Sequence, residues 1–126
     1  MTYVDGLVLA VPNANKDKFI EHSNLIDARF LELGAIRVVE SWGTDVPDGQ
    51  VTDFRRAVQA NKDESVVFSW IEWPDKPTRD AAFAKMMDKD DPDPLMDTTK
   101  YPVPFDGKRM IFGGFTPLVD IKTGAA

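Results

Sequence analysis

The amino-acid sequence predicts an α+β fold of the ferredoxin-like type, with the element order βαββαβ, in one domain over residues 1–126. Four segments have the alternation and the β-branched and aromatic content that are typical of strands. Two amphipathic segments of crossover length follow the first and the third of these strands. Because such crossovers are right-handed, we expect an antiparallel sheet with both helices on one face and its other face bare.

The first strand and the first helix are predicted within residues 3–33. Residues 3–11 carry apolar side chains on both faces, which is typical of a central strand covered on both sides. A helix over residues 15–33 can be N-capped by Asn13 or Asn15, and the following Gly34 accepts the left-handed conformation that ends helices. The apolar stripe of this helix consists of Phe19, Ser23, Ile26, Phe30 and Leu33.

The second strand is predicted over residues 36–42, and its side chains alternate between the two faces of the sheet. One face carries Ile36, Val38, Glu40 and Trp42. The sequence VPDG at residues 46–49 then predicts a turn, because Pro47 presets φ for the second residue of the turn and Gly49 accepts a positive φ. Residues 54–60 fit either a short helix or an irregular strand, and the short helix, ending before Asn61, is favoured.

The loop around this turn is rich in charged residues, because Asp45, Asp48 and Asp53 lie close to Arg55. One interpretation is a loop that presents carboxylates and the Arg55 guanidinium to a ligand. The other is that the aspartates cap backbone N–H groups and that Arg55 is their salt-bridge partner. The second interpretation is favoured because aspartate is a common turn residue.

The third strand and the second long helix are predicted within residues 66–87. The sequence VVFSWIEW at residues 66–73 is the clearest strand, with Phe68, Trp70 and Glu72 on one face. Pro74 stops it, and a helix capped by Asp75 or Lys76 follows. This helix is expected to bury Ala82, Phe83, Met86 and Met87.

The C-terminal part contains a long excursion and the fourth strand. Residues 88–104 are rich in acidic residues and proline, so we expect at most one helical turn there, near residues 95–97. Whether residues 88–101 form a lid or a surface loop stays open. The fourth strand is predicted over residues 108–119, and Gly113 with Gly114 indicates a bulge or a close backbone approach. Residues after Asp120 are predicted to form a loose tail.

Composition excludes several classes of protein. The chain has no cysteine, which excludes disulfides and thiolate chemistry and fits a reducing, cytoplasmic location. The N-terminus lacks the basic region of a signal peptide, and no apolar run approaches the roughly 20 residues of a membrane span. With a net charge of −6 and scattered lysines and arginines, the chain lacks the basic stripe of nucleic-acid-binding proteins. We therefore expect a cytoplasmic protein without nucleic-acid or membrane partners.

The bare face of the sheet predicts a homodimer. Depending on the strand register, we expect this face to carry Trp42, Phe68, Trp70, Leu7 and Leu9. A contiguous apolar patch of that kind is unusual on a soluble monomer. Two-fold pairing of the two sheets would bury it isologously.

A candidate ligand site is predicted where two strands alternate acidic and aromatic residues. Glu40 and Trp42 share one face of the second strand, and Trp70 and Glu72 share one face of the third. If these faces lie on the same side, two carboxylates and two indoles line one cavity, which Asp5 joins from the first strand. Burial raises the pKa of such carboxylates, and tryptophan faces bind flat or cationic groups. The alternative is a packed dimer core in which both glutamates pair with Arg37, Arg55 or Arg109.

Cofactors and metals are not indicated. The only histidine, His22, borders the buried stripe of the first helix, so a structural role is favoured over that of a general base. With one histidine and no cysteine, haem and zinc lack their usual ligands. The run from Asp88 to Asp93 fails the EF-hand pattern, because Asp93 stands where the turn needs glycine and Pro92 occupies a ligand position. We therefore expect no cofactor, no metal and a solvated acidic loop.

The chain resembles the YbaA-like family of small bacterial proteins, a domain of unknown function, along nearly its whole length. The likeness consists of YVDG at 3–6 with AVP at 10–12, VESW at 39–42 with DVPDG at 45–49 and VTDFR at 51–55, and VVFSWIE at 66–72 with PFDGKRMI at 104–111 and GGF at 113–115. The resemblance implies a dimeric α/β-barrel fold. It implies no agreed activity and no catalytic residues. Other dimeric α/β barrels include cofactor-free monooxygenases, haem proteins and small isomerases, which is an analogy of fold alone.

Two hypotheses of function follow from the sequence. In the first, a small aromatic or cationic molecule binds in a cavity beside Glu40, Trp42, Trp70 and Glu72, and proton transfer or cofactor-free oxidation is favoured over hydrolysis. In the second, the chain is a non-catalytic dimeric structural or interaction protein whose sheet face is fully packed. A cavity of a few hundred Å³, which is the size of a ligand site, would favour the first hypothesis.

Overall fold

Four antiparallel strands and two long helices form the predicted ferredoxin-like α+β arrangement in the computed structural model, which describes residues 2–124. The strands are β1 (Tyr3–Pro12), β2 (Arg37–Trp42), β3 (Glu64–Trp73) and β4 (Ile111–Phe115), in the sheet order β2-β3-β1-β4. The helices are α1 (Lys16–Glu32), the short α2 (Phe54–Ala57) and α3 (Lys76–Met86). Single 3-10 turns lie at Asn13–Asn15, Pro94–Met96 and Gly107–Arg109. Within residues 2–124, none of the helices has the length and apolar character required to cross a bilayer.

The strand register fixes which side chains share a face, because directly opposed residues in an antiparallel pair lie on the same side of the sheet. Trp42 of β2 is opposite Val67 of β3, whereas Trp70 is opposite Val39. Since 67 and 70 differ by an odd number, Trp42 and Trp70 lie on opposite faces.

Both long helices pack on the same face of the sheet, as predicted. Trp73 is fully buried there, and the rings of Phe30 from α1 and Phe83 from α3 meet it edge-on at centroid distances of 6.1 and 6.0 Å. A second cluster on this face joins Leu9, Val11, Phe19 and Val67, with Leu7 and Trp42 packed against it.

The prediction that Trp42, Leu7 and Leu9 lie on the bare face is therefore wrong. In a strand, a shift of one residue moves every side chain to the other face, and the sequence alone did not fix the parity of β1 and β2 relative to the helices. Phe68 and Trp70 do lie on the face opposite the long helices.

The face opposite the long helices is partly covered by the segment around α2. Val58, which follows α2, is buried against Val8, Ala10 and Val66. Beside this contact the ring of Phe54 packs edge-on against Phe68 at a centroid distance of 6.0 Å.

The remaining side chains of this face leave an apolar surface in water. Phe68, Ile111 and Phe115 are each about half exposed. These three residues together with Phe54 and Trp70 are named the sheet patch below.

Helix ends follow the predictions in part. Gly34 takes a φ of 116° after α1, and Asp75 caps α3 by accepting a 2.8 Å hydrogen bond from the Thr78 N–H. Asn15 occupies the N-cap position of α1, but its side-chain amide donates to the Pro104 carbonyl at 3.0 Å. Met87, which was expected to be buried, is exposed because α3 ends one residue before it.

Two glycines serve close backbone approaches. Gly49 has no positive φ, contrary to the turn prediction; a Cβ there would lie 2.0 Å from the Thr52 carbonyl oxygen. At Gly114 a Cβ would lie 2.1 Å from the Tyr3 hydroxyl, which confirms the predicted close approach. β4 ends at Phe115 rather than at residue 119.

The acidic excursion contains the expected helical turn at Pro94–Met96. Asp88 accepts hydrogen bonds from the N–H groups of Asp90 and Asp91 at 2.8 and 3.2 Å. Asp93, in contrast to the predicted solvated loop, is buried and forms a salt bridge with Arg29 of α1. This contact anchors the excursion to α1.

Candidate functional site

A groove of about 560 Å³ lies between α1 and the edge strand β2. One side is formed by α1 residues spaced three and four apart, and the other by alternate residues of β2. The lining residues are Lys16, Phe19, Ile20, Ser23, Asn24, Asp27, Ala28, Leu31, Val38, Glu40 and Trp42. The groove is thus mostly apolar, with two acids and one lysine among its polar groups.

The two acids of the groove meet each other. Asp27 projects from α1 and Glu40 from β2 into the groove, and the Glu40 carboxyl lies within hydrogen-bonding reach of Asp27. Two carboxyl groups can form such a bond only when one of them holds a proton. Partial burial, and then the charge of Glu40 and its hydrogen bond, raise the pKa of Asp27 to about 8.

Glu40 is positioned by the neighbouring strand. Ser69 is buried directly opposite Glu40 in the β2–β3 pair, and its Oγ donates a hydrogen bond to Oε2 of Glu40. Because Oε2 is occupied in this way, the carboxyl group is held in one orientation toward α1. The pair of acids is therefore built from one helix and two strands.

Trp42 forms the aromatic end of the groove. The ammonium of Lys16 lies over its ring, 5.2 Å from the centroid, and the ring of Phe19 packs against it at 6.4 Å. A cation over the face of an indole is attracted by the negative charge of the ring face. The tryptophan face in this groove thus already holds a positive charge.

The other two residues of the predicted set lie elsewhere. Trp70 and Glu72 are on the face opposite the long helices, where Nε1 of Trp70 donates to Oε2 of Glu72 at 2.9 Å. Glu72 also lies 3.9 Å from the guanidinium of Arg37. The expected single cavity with two carboxylates and two indoles is therefore not formed, because β2 and β3 place their pairs on opposite faces.

Asp5 is buried in the core, and both oxygens of its carboxylate accept hydrogen bonds. Its carboxylate accepts a 2.8 Å hydrogen bond from Nε1 of Trp73 and bonds of 2.8 to 3.2 Å from Arg79. The guanidinium of Arg79 also lies over the ring of Phe83, 4.6 Å from its centroid. The pKa of Arg79 is raised mainly by its hydrogen bond to Asp5. This arrangement gives Asp5 a structural role and leaves it no contact with the groove.

The side chain of Arg55 binds backbone carbonyl groups rather than a ligand site. Its guanidinium donates to the carbonyl oxygens of Glu64 at 3.1 Å and Asn61 at 2.6 Å. The salt-bridge partner of the loop is Arg56, 3.0 Å from Asp53. Asp53 caps α2 by accepting from the Arg56 N–H, and this bond is the largest cause of its lowered pKa. The capping interpretation of the loop is confirmed for Asp53, with Arg56 in the place expected for Arg55.

Arg109 pairs with a different acid from those expected. It forms two hydrogen bonds, of 2.7 and 2.8 Å, with the buried carboxylate of Glu64 at the start of β3. These bonds lower the pKa of Glu64 to about 2. Arg109 therefore fixes the loop before β4 to β3 and has no part in the groove.

His22 lies outside this groove, beside a second cleft of about 410 Å³ between α1 and residues 100–104. Its ring meets Phe105 edge-on at 6.1 Å, and burial lowers its pKa. At neutral pH the imidazole is therefore neutral. Over residues 2–124 no group of three or more histidine, aspartate and glutamate side chains is arranged to hold a metal ion.

Sequence reasoning identified Glu40 and Trp42 but missed Asp27, Lys16 and Ser69. A signal for Asp27 existed, since it stands next to Ile26 of the apolar stripe and four residues after Ser23. The distance between α1 and β2, which brings Asp27 to Glu40, could not be deduced from spacing.

Comparison with known proteins identifies the family. A family model described as "Protein of unknown function (DUF1428)" matches residues 2–107, which include every polar residue of the groove. The chain is also similar to the uncharacterized protein YbaA of Escherichia coli strain K12 and to that of Shigella flexneri. Each is 54% identical over 120 residues, which cover 95% of this chain and 99% of the relative. The chain therefore belongs to the DUF1428 family.

Proposed function

We propose that the groove between α1 and β2 binds a small organic cation with a flat ring, and that the Asp27–Glu40 pair releases one proton when the cation binds. The observation that carries the proposal is the meeting of two carboxyl groups beside Trp42, whose ring face holds the Lys16 ammonium at 5.2 Å. The groove volume of about 560 Å³ is that of a small-molecule site.

Charge and shape in the groove support a cation rather than an anion. An incoming ammonium can take the place of the shared proton between Asp27 and Glu40, because it puts one positive charge between the two carboxylates and leaves the net charge of the pair at −1. The ring of the same molecule can lie on Trp42 in place of Lys16. An anion would instead meet two acids and would have only one lysine as a partner.

The raised pKa of Asp27 supports proton exchange near neutral pH. A group with a pKa of about 8 holds its proton at pH 7 and loses it when a cation approaches. Binding of an ammonium is then accompanied by release of up to one proton, and its affinity rises with pH until the pair has lost its proton.

The experiment uses tryptamine and its acidic counterpart indole-3-propionate, which share a ring and differ in the sign of the charge. We expect tryptamine to raise the melting temperature at pH 7.5 and indole-3-propionate to have no effect. At one hundred times its dissociation constant, a ligand stabilises the folded state by about 2.7 kcal/mol, which is a readily measured shift. Calorimetry in two buffers with different ionisation enthalpies measures the released proton.

The variants Asp27→Asn and Glu40→Gln should abolish proton release and weaken tryptamine binding. Asp17→Asn is the matched control, since this exposed aspartate lies on the same helix outside the groove. Equal binding of tryptamine and indole-3-propionate would contradict the proposal that the groove selects a cationic ligand. Failure of both to bind, and of a wider panel of metabolites, would contradict the site itself.

The second proposed function is assembly as a homodimer through the sheet patch. The supporting observation is the cluster of half-exposed apolar side chains, Phe54, Phe68, Ile111 and Phe115, on the face that the long helices leave open. Apolar patches of this kind mark interaction sites on soluble proteins. Sedimentation at micromolar concentration tests the proposal: a particle of 14.1 kDa alone would contradict the dimer.

A further inference from the structure

The segment after β4 exposes an unusual amount of apolar surface. Within residues 116–124, Leu118 is 93% exposed, Val119 77% and Ile121 87%. This segment belongs to no helix or strand. Residues 116–124 are named the C-terminal arm below. Single exposed aliphatic residues are normal on protein surfaces, but three within four consecutive positions form a patch.

The C-terminal arm begins next to the sheet patch. β4 is an edge strand of the sheet, and its last residue, Phe115, is opposite Val4 on the face that the long helices leave open. The Phe115 ring lies over the backbone of Gly6 and Gly113, where added Cβ atoms would stand 3.4 and 3.5 Å from it. Only Thr116 and Pro117 separate Phe115 of the sheet patch from Leu118, the first exposed aliphatic residue of the arm.

We propose that the C-terminal arm of one chain crosses to a second copy of this chain and packs Leu118, Val119 and Ile121 against the partner's sheet face. This inference rests on the proposed homodimer and names the segment that completes its interface. A second copy is the partner that fits, because each chain presents both the patch to be covered and an apolar segment at its edge.

The area of the sheet patch alone falls short of a stable interface. A stable dimer buries about 800 Å² on each partner. An aromatic side chain buries about 150–250 Å², so the three half-exposed phenylalanines and one isoleucine of the patch offer roughly 350 Å², and the less exposed Trp70 adds less than about 100 Å². The three aliphatic residues of the arm add on the order of 300 Å², since a fully buried aliphatic side chain corresponds to about 100 Å². With the arm, the interface approaches the usual size.

The arm is long enough to reach the partner. Nine extended residues span about 30 Å. Two sheets stacked face to face lie about 10 Å apart, and four strands are about 15 Å wide. The arm can therefore cross the gap and run over the partner's sheet.

The experiment compares the intact chain with the double variant Leu118→Ser, Ile121→Ser by sedimentation equilibrium. Both side chains are exposed, so the variant keeps the folded core. We expect the dimer dissociation constant to rise by a factor of about ten to one hundred. The matched control is Lys122→Ser, which changes a polar residue of the same arm and should leave the dissociation constant unchanged.

The outcomes separate the arm from the homodimer. If the intact chain and the double variant dimerise equally, the inference about the arm is overturned and the homodimer stands. If the intact chain is a monomer, the homodimer and the arm contact both fail.

A second measurement locates the arm. Because the chain has no cysteine, Ile121→Cys introduces a single site for a spin label. In mixed dimers, a spin-labelled chain should broaden the amide signals of Phe68 and Phe115 in an isotopically labelled wild-type partner. If the partner's signals stay sharp, and the same signals broaden only in a separate sample in which the spin-labelled chain itself is isotopically labelled, the arm folds on its own sheet and the inference is overturned.

Discussion

Nε1 of Trp73 donates a hydrogen bond of 2.8 Å to Oδ2 of Asp5, and Arg79 binds the same carboxylate from α3. The acid therefore joins β1, β3 and α3 inside the core. A buried charge of this kind is tolerated because both oxygens are occupied and the guanidinium neutralises it.

Replacing Asp5 by alanine should destabilise the fold by about 3 kcal/mol, because it leaves the buried Trp73 N–H without its acceptor and deprives Arg79 of its main partner. Urea unfolding of Asp5→Ala measures this loss. The control is Asp45→Asn, an exposed aspartate whose change should stay within about 0.5 kcal/mol. Wild-type stability of Asp5→Ala together with lost tryptamine binding would instead assign Asp5 to the ligand site.

The Asp27–Glu40 pair should make stability depend on pH between about 4 and 8. The folded pKa of Asp27 is about 8 and its ordinary value is 3.8, so in this window the folded chain holds a proton that the unfolded chain has lost. The contribution of Asp27 to the free energy of unfolding is fully present below pH 4. It falls as the pH rises toward 8, by at most about 1.4 kcal/mol per pH unit. Denaturant unfolding of wild type and Asp27→Asn at pH 5, 6.5 and 8 tests the slope.

In that series, the free energy of unfolding of Asp27→Asn should not fall with pH through this group. Its stability relative to wild type should therefore increase as the pH rises. Asp17→Asn should keep the wild-type slope above pH 5, because this residue is exposed. Parallel stability curves for wild type and Asp27→Asn would show that the pair shares no proton.

The two tryptophans on opposite faces should respond differently to the same substitution. Trp42→Phe keeps an aromatic ring at this position but offers a smaller face to the ring of the ligand, so tryptamine affinity should fall about fivefold. Trp70→Phe should leave that affinity unchanged, since Trp70 lies on the face away from the groove. Calorimetric titration of both variants decides the matter. An equal loss in the two would mean that the ligand does not lie in the groove.

Gly114 should tolerate no side chain, because a Cβ there would lie 2.1 Å from the hydroxyl of the buried Tyr3. Gly114→Ala should cost about 1–3 kcal/mol through displacement of the Tyr3 ring or of β4. Gly107→Ala is the matched control, since an added Cβ meets nothing within 4 Å. Thermal unfolding of the two variants makes the comparison, and equal melting temperatures would contradict the close contact.

The sequence predicted the elements and their order because those depend on local patterns. Alternation identified β3, the steps of three and four identified α1, and Gly34 marked the end of α1. The same patterns predicted the cap at Asp75. They failed at Gly49, where a carbonyl oxygen from a later residue, rather than a turn type, requires glycine.

The candidate site was only half predictable. Glu40 and Trp42 were identified because they alternate on one strand. The same alternation at Trp70 and Glu72 did not indicate that these two side chains lie on the opposite face of the sheet. One strand pattern fits either side of a sheet equally well until the partner layers are known.

By itself, then, the sequence determined the ferredoxin-like order of strands and helices and the presence of an apolar sheet face. The tertiary structure decided which side chains meet: Asp27 lies against Glu40, and Trp42 and Trp70 lie on opposite faces. The physical reason is that periodicity depends on each segment alone, whereas register and packing depend on contacts between segments that are distant in the chain.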